Sequence, residues 1–176
     1  MNSAMSTSAV VEKRRARGLE ERYEMLRKTL AHYLLLQVGT FVAAFGFDAV
    51  GPAMNTLTDK KAELKVLEVN RNGGVGGSEQ AVKRLSQNLV DSMGETFNSD
   101  YLVEAGNSSR TVKLSRCGCI ESVVEQAETY GLTKAQARSI FCGTCMSSYK
   151  KAAQTLSLSF KGRLSKEGCS MGFSTN

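Results

Sequence analysis

Apolar side chains recur every three or four residues through the first half of the chain, which is the spacing of an amphipathic helix. This pattern predicts one helix over residues 17–45 and a second over residues 53–69. The Gly51-Pro52 pair is expected to break the run between them. In the first helix the apolar positions are Leu19, Tyr23, Leu26, Leu30 and Tyr33.

A glycine-rich stretch, residues 72–78, follows the second predicted helix. It predicts a flexible linker, because a phosphate-binding Walker loop would end in Gly-Lys-Ser/Thr and this stretch ends in Gly77-Ser78-Glu79. Ser78 is a suitable N-cap for a third helix, which we expect to run to Phe97.

The periodicity changes beyond Phe97. Residues 101–103 and 110–114 are typical of strands joined by a turn at 106–108. A helix is predicted over residues 119–130, and a second follows it to about Gln154. Its start carries a capping-box pattern, and the turn before it carries a helix-ending glycine: Thr133, Gln136 and Gly131.

The chain then returns to strand-like alternation. Leu156, Leu158 and Phe160 alternate with polar residues, Gly162 is expected to end this strand, and a last strand or turn lies around residues 171–174. The fold class is therefore α+β, with a helical amino-terminal half followed by an antiparallel sheet and a helical hairpin. The predicted organisation is a frayed tail (1–16), a helical region forming core or dimer interface (17–97) and a Cys-rich ligand- or metal-binding region (98–176).

The composition is that of a globular protein and excludes a wholly disordered, collagenous or coiled-coil chain. The net charge is +6, and residues 1–31 hold seven Lys or Arg against four Glu. This excess suits an anionic small molecule as partner. Nucleic acid is not favoured, because no RNA-binding strand signature, groove-reading helix or long basic run is present.

Residues 30–54 form the most apolar stretch, but His32, Gln37, Asp48 and several glycines interrupt it. We expect a helix buried in the core or in a homo-oligomer interface, although the basic arm before it is also compatible with peripheral membrane contact. The start of the chain lacks the apolar segment of a signal peptide, so we expect a cytoplasmic protein with reduced thiols.

The five cysteines all follow residue 116 and carry the most chemical information. They form a Cys-x-Cys pair, a Cys-x-x-Cys pair and a single residue: Cys117, Cys119, Cys142, Cys145 and Cys169. Thiolates suit zinc or an iron–sulfur cluster rather than magnesium or calcium, and the lone histidine excludes a His-rich site. The alternatives are cysteines that only pack and a redox Cys142–Cys145 dithiol.

Whether the sulfurs can meet depends on where the predicted helices place them. Cys142 and Cys145 share one face of a helix that Tyr149 extends, and Cys119 begins the helix before it. At a helix start the dipole is expected to lower the pKa of the Cys119 thiol.

The segment from Arg116 to Phe173 resembles the L-2-amino-thiazoline-4-carboxylic acid hydrolase family and, more distantly, the 4-vinyl-reductase and methanogen output small-molecule-binding domains. The residues that carry the resemblance are Arg116-Cys117, Phe141-Cys142-x-x-Cys145 and Leu158-Ser159-Phe160-x-Gly162-Arg163-Leu164-Ser165-x-Glu167-Gly168-Cys169-x-x-Gly172-Phe173.

The resemblance implies an α+β domain that encloses a small organic ligand beside a Cys-bound zinc. Cys117, Cys142 and Cys169 match the family's cysteines. Cys145 stands where the hydrolases have an acidic residue, and a thiolate at that position would soften the metal site.

Two functions compete. In a metal-dependent hydrolase that attacks a non-peptide C–N bond, three thiolates leave the metal an open position for water. Glu167, close to Cys169, is then the candidate catalytic base, with Glu121 and Glu125 as alternatives. In a non-catalytic module four thiolates saturate the metal, and the protein senses a ligand or carries electrons through an iron–sulfur cluster.

Overall fold

The computed structural model describes residues 18–71 and 77–176. These residues contain five α-helices and four β-strands. The helices are α1 (Leu19–Phe45), α2 (Val50–Arg71), α3 (Ser78–Leu89), α4 (Gly118–Gln126) and α5 (Lys134–Thr155). The strands are β1 (Asp100–Ala105), β2 (Ser109–Arg116), β3 (Leu158–Leu164) and β4 (Cys169–Thr175). This arrangement confirms the α+β class.

The break between α1 and α2 lies earlier than the Gly-Pro pair predicts. Gly46, with φ +79°, ends α1, and a short 3₁₀ turn over Phe47–Ala49 leads into α2. The prediction of a break at Gly51-Pro52 is therefore wrong. Proline is tolerated in a first helical turn because its missing N–H has no intrahelical acceptor there, and Pro52 occupies that turn.

Helix α3 also departs from the prediction. Its N-cap is Gly77 rather than Ser78, and after Leu89 the chain continues as a π-helical turn over Val90–Glu95. This wider turn places Met93 beside the cysteines described below. The linker at 72–76 and the tail predicted over 1–16 lie outside the described residues.

The four strands form an antiparallel sheet in the order β1-β2-β4-β3. Cys169 of β4 lies opposite Leu114 of β2 on one side and Leu164 of β3 on the other. Strand β3 runs past Gly162, the expected end. A Cβ atom at this glycine would lie 2.4 Å from the sulfur of Met146 on α5, so a larger residue there would require that side chain to move.

The hairpin of α4 and α5 matches its sequence signals. A 3₁₀ turn over Ala127–Tyr130 follows α4, and Gly131 ends it in the left-handed conformation at φ +71°. Thr133 caps α5, and Gln136 completes the capping box. The short connection sets the two helices side by side.

Two apolar clusters hold the fold together, and each draws on both halves of the chain. One packs α2, α3 and α5 against the sheet, and the other packs α1 against α4 and the start of α5. Met93 and Cys117 contact both clusters. The cysteine region therefore lies where the two clusters meet. No helix among the described residues is long and apolar enough to cross a membrane.

Candidate functional site

All five cysteines line one small cavity between the sheet and the α4–α5 hairpin. Its volume is about 30 Å³, which is room for one small species and far below the roughly 300–1,000 Å³ of organic-ligand pockets. Apart from the thiols its wall is apolar or thioether: Met93, Leu114, Ile120, Phe141, Leu164, Gly168 and Met171.

Strand β2 and helix α4 together position the Cys-x-Cys pair. Cys117 is the N-cap of α4, and its backbone N–H donates to the carbonyl of Glu167 at 2.9 Å. Gly118 between the two cysteines has no room for a side chain, because a Cβ atom would lie 1.8 Å from the carbonyl oxygen of Phe97. Cys119 follows in the first turn of α4 and is buried.

The other three cysteines come from α5 and β4. Cys142 and Cys145 lie one turn apart on α5 and face the cavity together. Cys169 begins β4, directly after Gly168, where a Cβ atom would lie 1.9 Å from the carbonyl oxygen of Leu114. Two close backbone approaches, at Gly118 and Gly168, therefore bring the loops that carry cysteines against the rest of the site.

Burial raises the pKa of the thiols of Cys119, Cys142, Cys145 and Cys169. The pKa is raised to about 11 for Cys142 and to about 12 for Cys145 and Cys169. The pKa of Cys119 is also raised, so the expected lowering at the helix start is wrong. Desolvation of this almost fully buried sulfur outweighs the helix dipole. At neutral pH these thiols hold their protons.

Three cationic side chains oppose the effect of burial on individual thiols. Lys65 acts on Cys145, Lys61 acts on Cys119 and Cys145, and Arg138 acts on Cys142 and Cys169. These cations only partly offset the loss of solvation, which is the larger effect, so the four thiols stay protonated.

The thiols are neighbours rather than a preformed ligand set. All five are free cysteines. Within residues 18–71 and 77–176, no group of three or more His, Cys, Asp or Glu is arranged to hold a metal ion. A metal would have to draw the sulfurs inward from their present positions.

The structure does not bring the candidate bases into the cavity wall. Glu167 is exposed on the β3–β4 turn and contributes its backbone carbonyl, not its carboxylate, to the site. Glu121 accepts from Arg27 at 3.2 Å and from Arg116 at 2.8 Å. Glu125 lies 3.8 Å from the ammonium of Lys28.

Sequence reasoning missed Lys65 and Met93. A signal for Lys65 was present: it shares one stripe of α2 with the buried residues Thr58, Ala62 and Val69, at spacings of four, three and four. A lysine on the buried face of a helix needs a polar or charged group nearby. Met93 carried no comparable signal, because its place depends on the π-helical turn.

Comparisons of this chain with protein-family models, with curated proteins and with solved structures find no match.

Proposed function

We propose that the cavity binds one soft metal ion through cysteine thiolates, with zinc as the expected ion. The observation that carries this proposal is that every cysteine of the chain lines the same small cavity. Cysteines placed only for packing have no reason to converge from three separate segments. Structural zinc sites can take four thiolates in a tetrahedron, and five cysteines line this cavity.

The raised pKa values argue against thiol catalysis. A protonated, buried thiol is a weak nucleophile. This environment therefore does not favour a redox dithiol or a cysteine hydrolase. A metal ion removes that obstacle because it displaces the thiol protons as it binds.

The volume favours a single ion over a cluster or an organic ligand. About 30 Å³ accommodates an ion, whereas an iron–sulfur cluster would need the walls to move apart. The small organic ligand implied by the family resemblance does not fit this cavity. That ligand, and the cytoplasmic location, stay predictions.

A hydrolase is less well supported than a non-catalytic centre. Metal-dependent hydrolysis needs an open coordination position and a base near the metal-bound water. The cavity wall carries no carboxylate, and the three candidate glutamates lie outside it. We therefore favour a closed, thiolate-saturated centre that stabilises the fold or responds to metal.

Anaerobic purification, followed by metal analysis and an absorption spectrum, tests the proposal. We expect one equivalent of zinc in a colourless protein, and cobalt substitution should give intense thiolate-to-cobalt charge-transfer absorption. A brown protein with broad visible absorption would indicate an iron–sulfur cluster instead. A chain that binds no zinc, cobalt or iron under reducing conditions would disprove a metal-thiolate function.

Variants then identify the ligands. Cys142→Ser should lose the metal and destabilise the carboxy-terminal half of the chain. Met93→Leu is a matched control, because it alters a cavity wall residue but removes no thiolate. Metal retained by a variant in which all five cysteines are replaced by serine would contradict thiolate ligation.

The partner expected for the amino-terminal helices is a second copy of this chain. Large apolar side chains are exposed on both helices, among them Leu26 and Tyr33 of α1 and Leu57 and Leu64 of α2. Static light scattering across a concentration series measures the oligomeric state. A monomer at all concentrations would contradict this expectation.

A further inference from the structure

Helix α1 has one face in the core and one face in solvent. Its inner residues Ala31, Leu35 and Val38 are buried in the cluster that contains α4. Gly39 fixes this orientation, because a Cβ atom there would lie 2.8 Å from the carbonyl oxygen of Tyr130. Since the inner face is held this closely, α1 does not rotate to bury its outer face within the same copy of the chain.

The outer face of α1 lacks charge over most of its length. Residues 29–47 contain no Asp, Glu, Lys or Arg, although these residue types make up 23% of the chain and about four would be expected in a stretch of this size. Large apolar side chains are exposed on this face instead: Leu19, Leu26, Tyr33 and Leu36. An exposed helix face that is apolar and uncharged over several turns indicates an interaction surface.

The spacing of these residues suits another helix as the partner. Leu19, Leu26 and Tyr33 follow one another at intervals of seven residues. A seven-residue repeat keeps one side of a helix against a partner helix over several turns. A helix that lies on a membrane surface carries Lys or Arg along its polar face, and residues 29–47 have none.

We propose that the outer face of α1 packs antiparallel against the same face of α1 in a second copy of this chain, across a two-fold axis near the middle of the helix. This surface is separate from the cysteine cavity and does not depend on metal binding. It specifies the face and the orientation of the self-association expected above.

Side-chain size supports the antiparallel orientation. The first half of the outer face carries the bulky Leu26 and Tyr33, whereas the second half carries the small, exposed Ala43 and Ala44. Antiparallel pairing sets Leu26 of one copy opposite Ala44 of the other, and the two-fold axis repeats this contact. A parallel pair would crowd bulky residues at one end and leave a gap at the other.

The charges at the two ends of the face agree with this orientation. Arg22 is exposed before the uncharged stretch, and Asp48 is exposed just after it. The antiparallel arrangement brings the Arg22 end of one copy to the Asp48 end of the other, so that opposite charges approach each other twice. A parallel arrangement would bring like charges together at both ends.

Sedimentation equilibrium of the full chain over a concentration series tests the surface. We expect a dimer for wild type. Leu36→Glu places two carboxylates close to the axis, and Leu26→Glu buries a carboxylate against a methyl group, so each should raise the dimer dissociation constant about 100-fold or more. Both positions are exposed in a single copy, so the circular dichroism spectrum should stay unchanged.

Leu64→Glu is the matched control. Leu64 is an equally exposed leucine, but it lies on α2 beside Glu63, which pairs with Lys60 at 2.8 Å. This variant should keep the wild-type dissociation constant. Dissociation by Leu64→Glu, together with intact dimers of Leu26→Glu and Leu36→Glu, would overturn the inference in favour of an interface on α2.

A short bis-maleimide cross-linker tests the orientation, with wild type giving the background from the native cysteines. The double variant Leu26→Cys with Ala44→Cys should form covalent dimers, because the two positions face each other across the axis. Leu26→Cys alone should stay at the background, since antiparallel pairing separates the two copies of this residue by about 27 Å at 1.5 Å per residue. Cross-linking of Leu26→Cys alone would show parallel helices and overturn the proposed orientation.

A wild-type chain that stays monomeric at all concentrations would overturn this inference and leave the metal proposal standing. Co-sedimentation of that monomer with phosphatidylglycerol vesicles, abolished by Leu36→Glu, would assign the face to a membrane instead. A dimer that binds no metal would overturn the proposed function and leave this inference standing.

Discussion

Tyr149 shows how one buried polar atom is satisfied in this fold. Its side chain is 1% exposed, yet its hydroxyl contacts Asn88 and Ser92, so α5 is joined to α3 and the π-helical turn. Burial raises the pKa of this phenol well above its usual range. The hydroxyl therefore acts as a fixed neutral donor and acceptor.

Tyr149→Phe should lower the free energy of unfolding by about 1–2 kcal/mol, because Asn88 and Ser92 lose a buried partner. Urea unfolding measures the change. Tyr33→Phe is the control, since Tyr33 is 58% exposed, and it should change stability by less than about 0.5 kcal/mol. Equal stability of the two variants would contradict the assigned network.

Two glycines beside cysteines should respond in opposite directions to the same substitution. Gly118→Ala places a Cβ atom 1.8 Å from a backbone carbonyl and should cost about 3 kcal/mol or more. Gly143→Ala meets nothing within 4 Å on α5 and should stabilise by about 0.5–1 kcal/mol. Thermal unfolding of both proteins checks the sign, and a stabilising Gly118→Ala would show that the β2–α4 junction is placed wrongly.

The helices and strands follow local signals where those signals are strong. The capping box at Thr133 and Gln136 and the left-handed Gly131 were predicted from residue identity alone, because each depends on contacts within one turn. The start of α2 and the end of α3 were not predicted correctly from the sequence. Whether a Gly-Pro pair breaks a helix or begins one, and whether a helix widens into a π turn, depends on packing from distant segments.

Thr133→Ala should cost about 1 kcal/mol, because the Thr133 hydroxyl no longer accepts from the backbone N–H of Gln136 or donates to its side-chain oxygen. Chemical denaturation provides the measurement. Thr40→Ala, at an exposed position within α1, is the control and should not lower stability. An unchanged midpoint for Thr133→Ala would mean that packing alone holds α5.

The molecule has two apolar clusters rather than two independent units, and the sulfurs lie where the clusters meet. Regions 17–97 and 98–176 contribute to both clusters, so cutting the chain between them would expose both. The thiols' environment is thus a property of the complete fold.

Alkaline pH should destabilise the metal-free protein through these thiols. The pKa of Cys145 is raised from 9.0 to about 12, so above pH 9 the unfolded chain loses a proton that the folded chain keeps. Stability then falls as pH rises from 9 toward 12.

The measurement compares unfolding free energies of wild type and Cys145→Ser, with reductant and chelator present, between pH 8 and 11. The difference in unfolding free energy between wild type and Cys145→Ser should fall by about 1 kcal/mol per pH unit above pH 9, because serine does not titrate in this range. A constant difference would show that Cys145 is not desolvated.

The sequence alone determined the α+β class, most helix and strand positions, the capping of α5 and the cysteines as the candidate site. These depend on periodicity and residue type, which act over a few neighbouring positions. Only the tertiary structure decided that all five cysteines line one cavity, that burial raises rather than lowers the pKa of Cys119, and that the carboxylate of Glu167 lies outside the cavity wall. Burial and charge proximity arise from segments far apart in the chain, and no local pattern contains them.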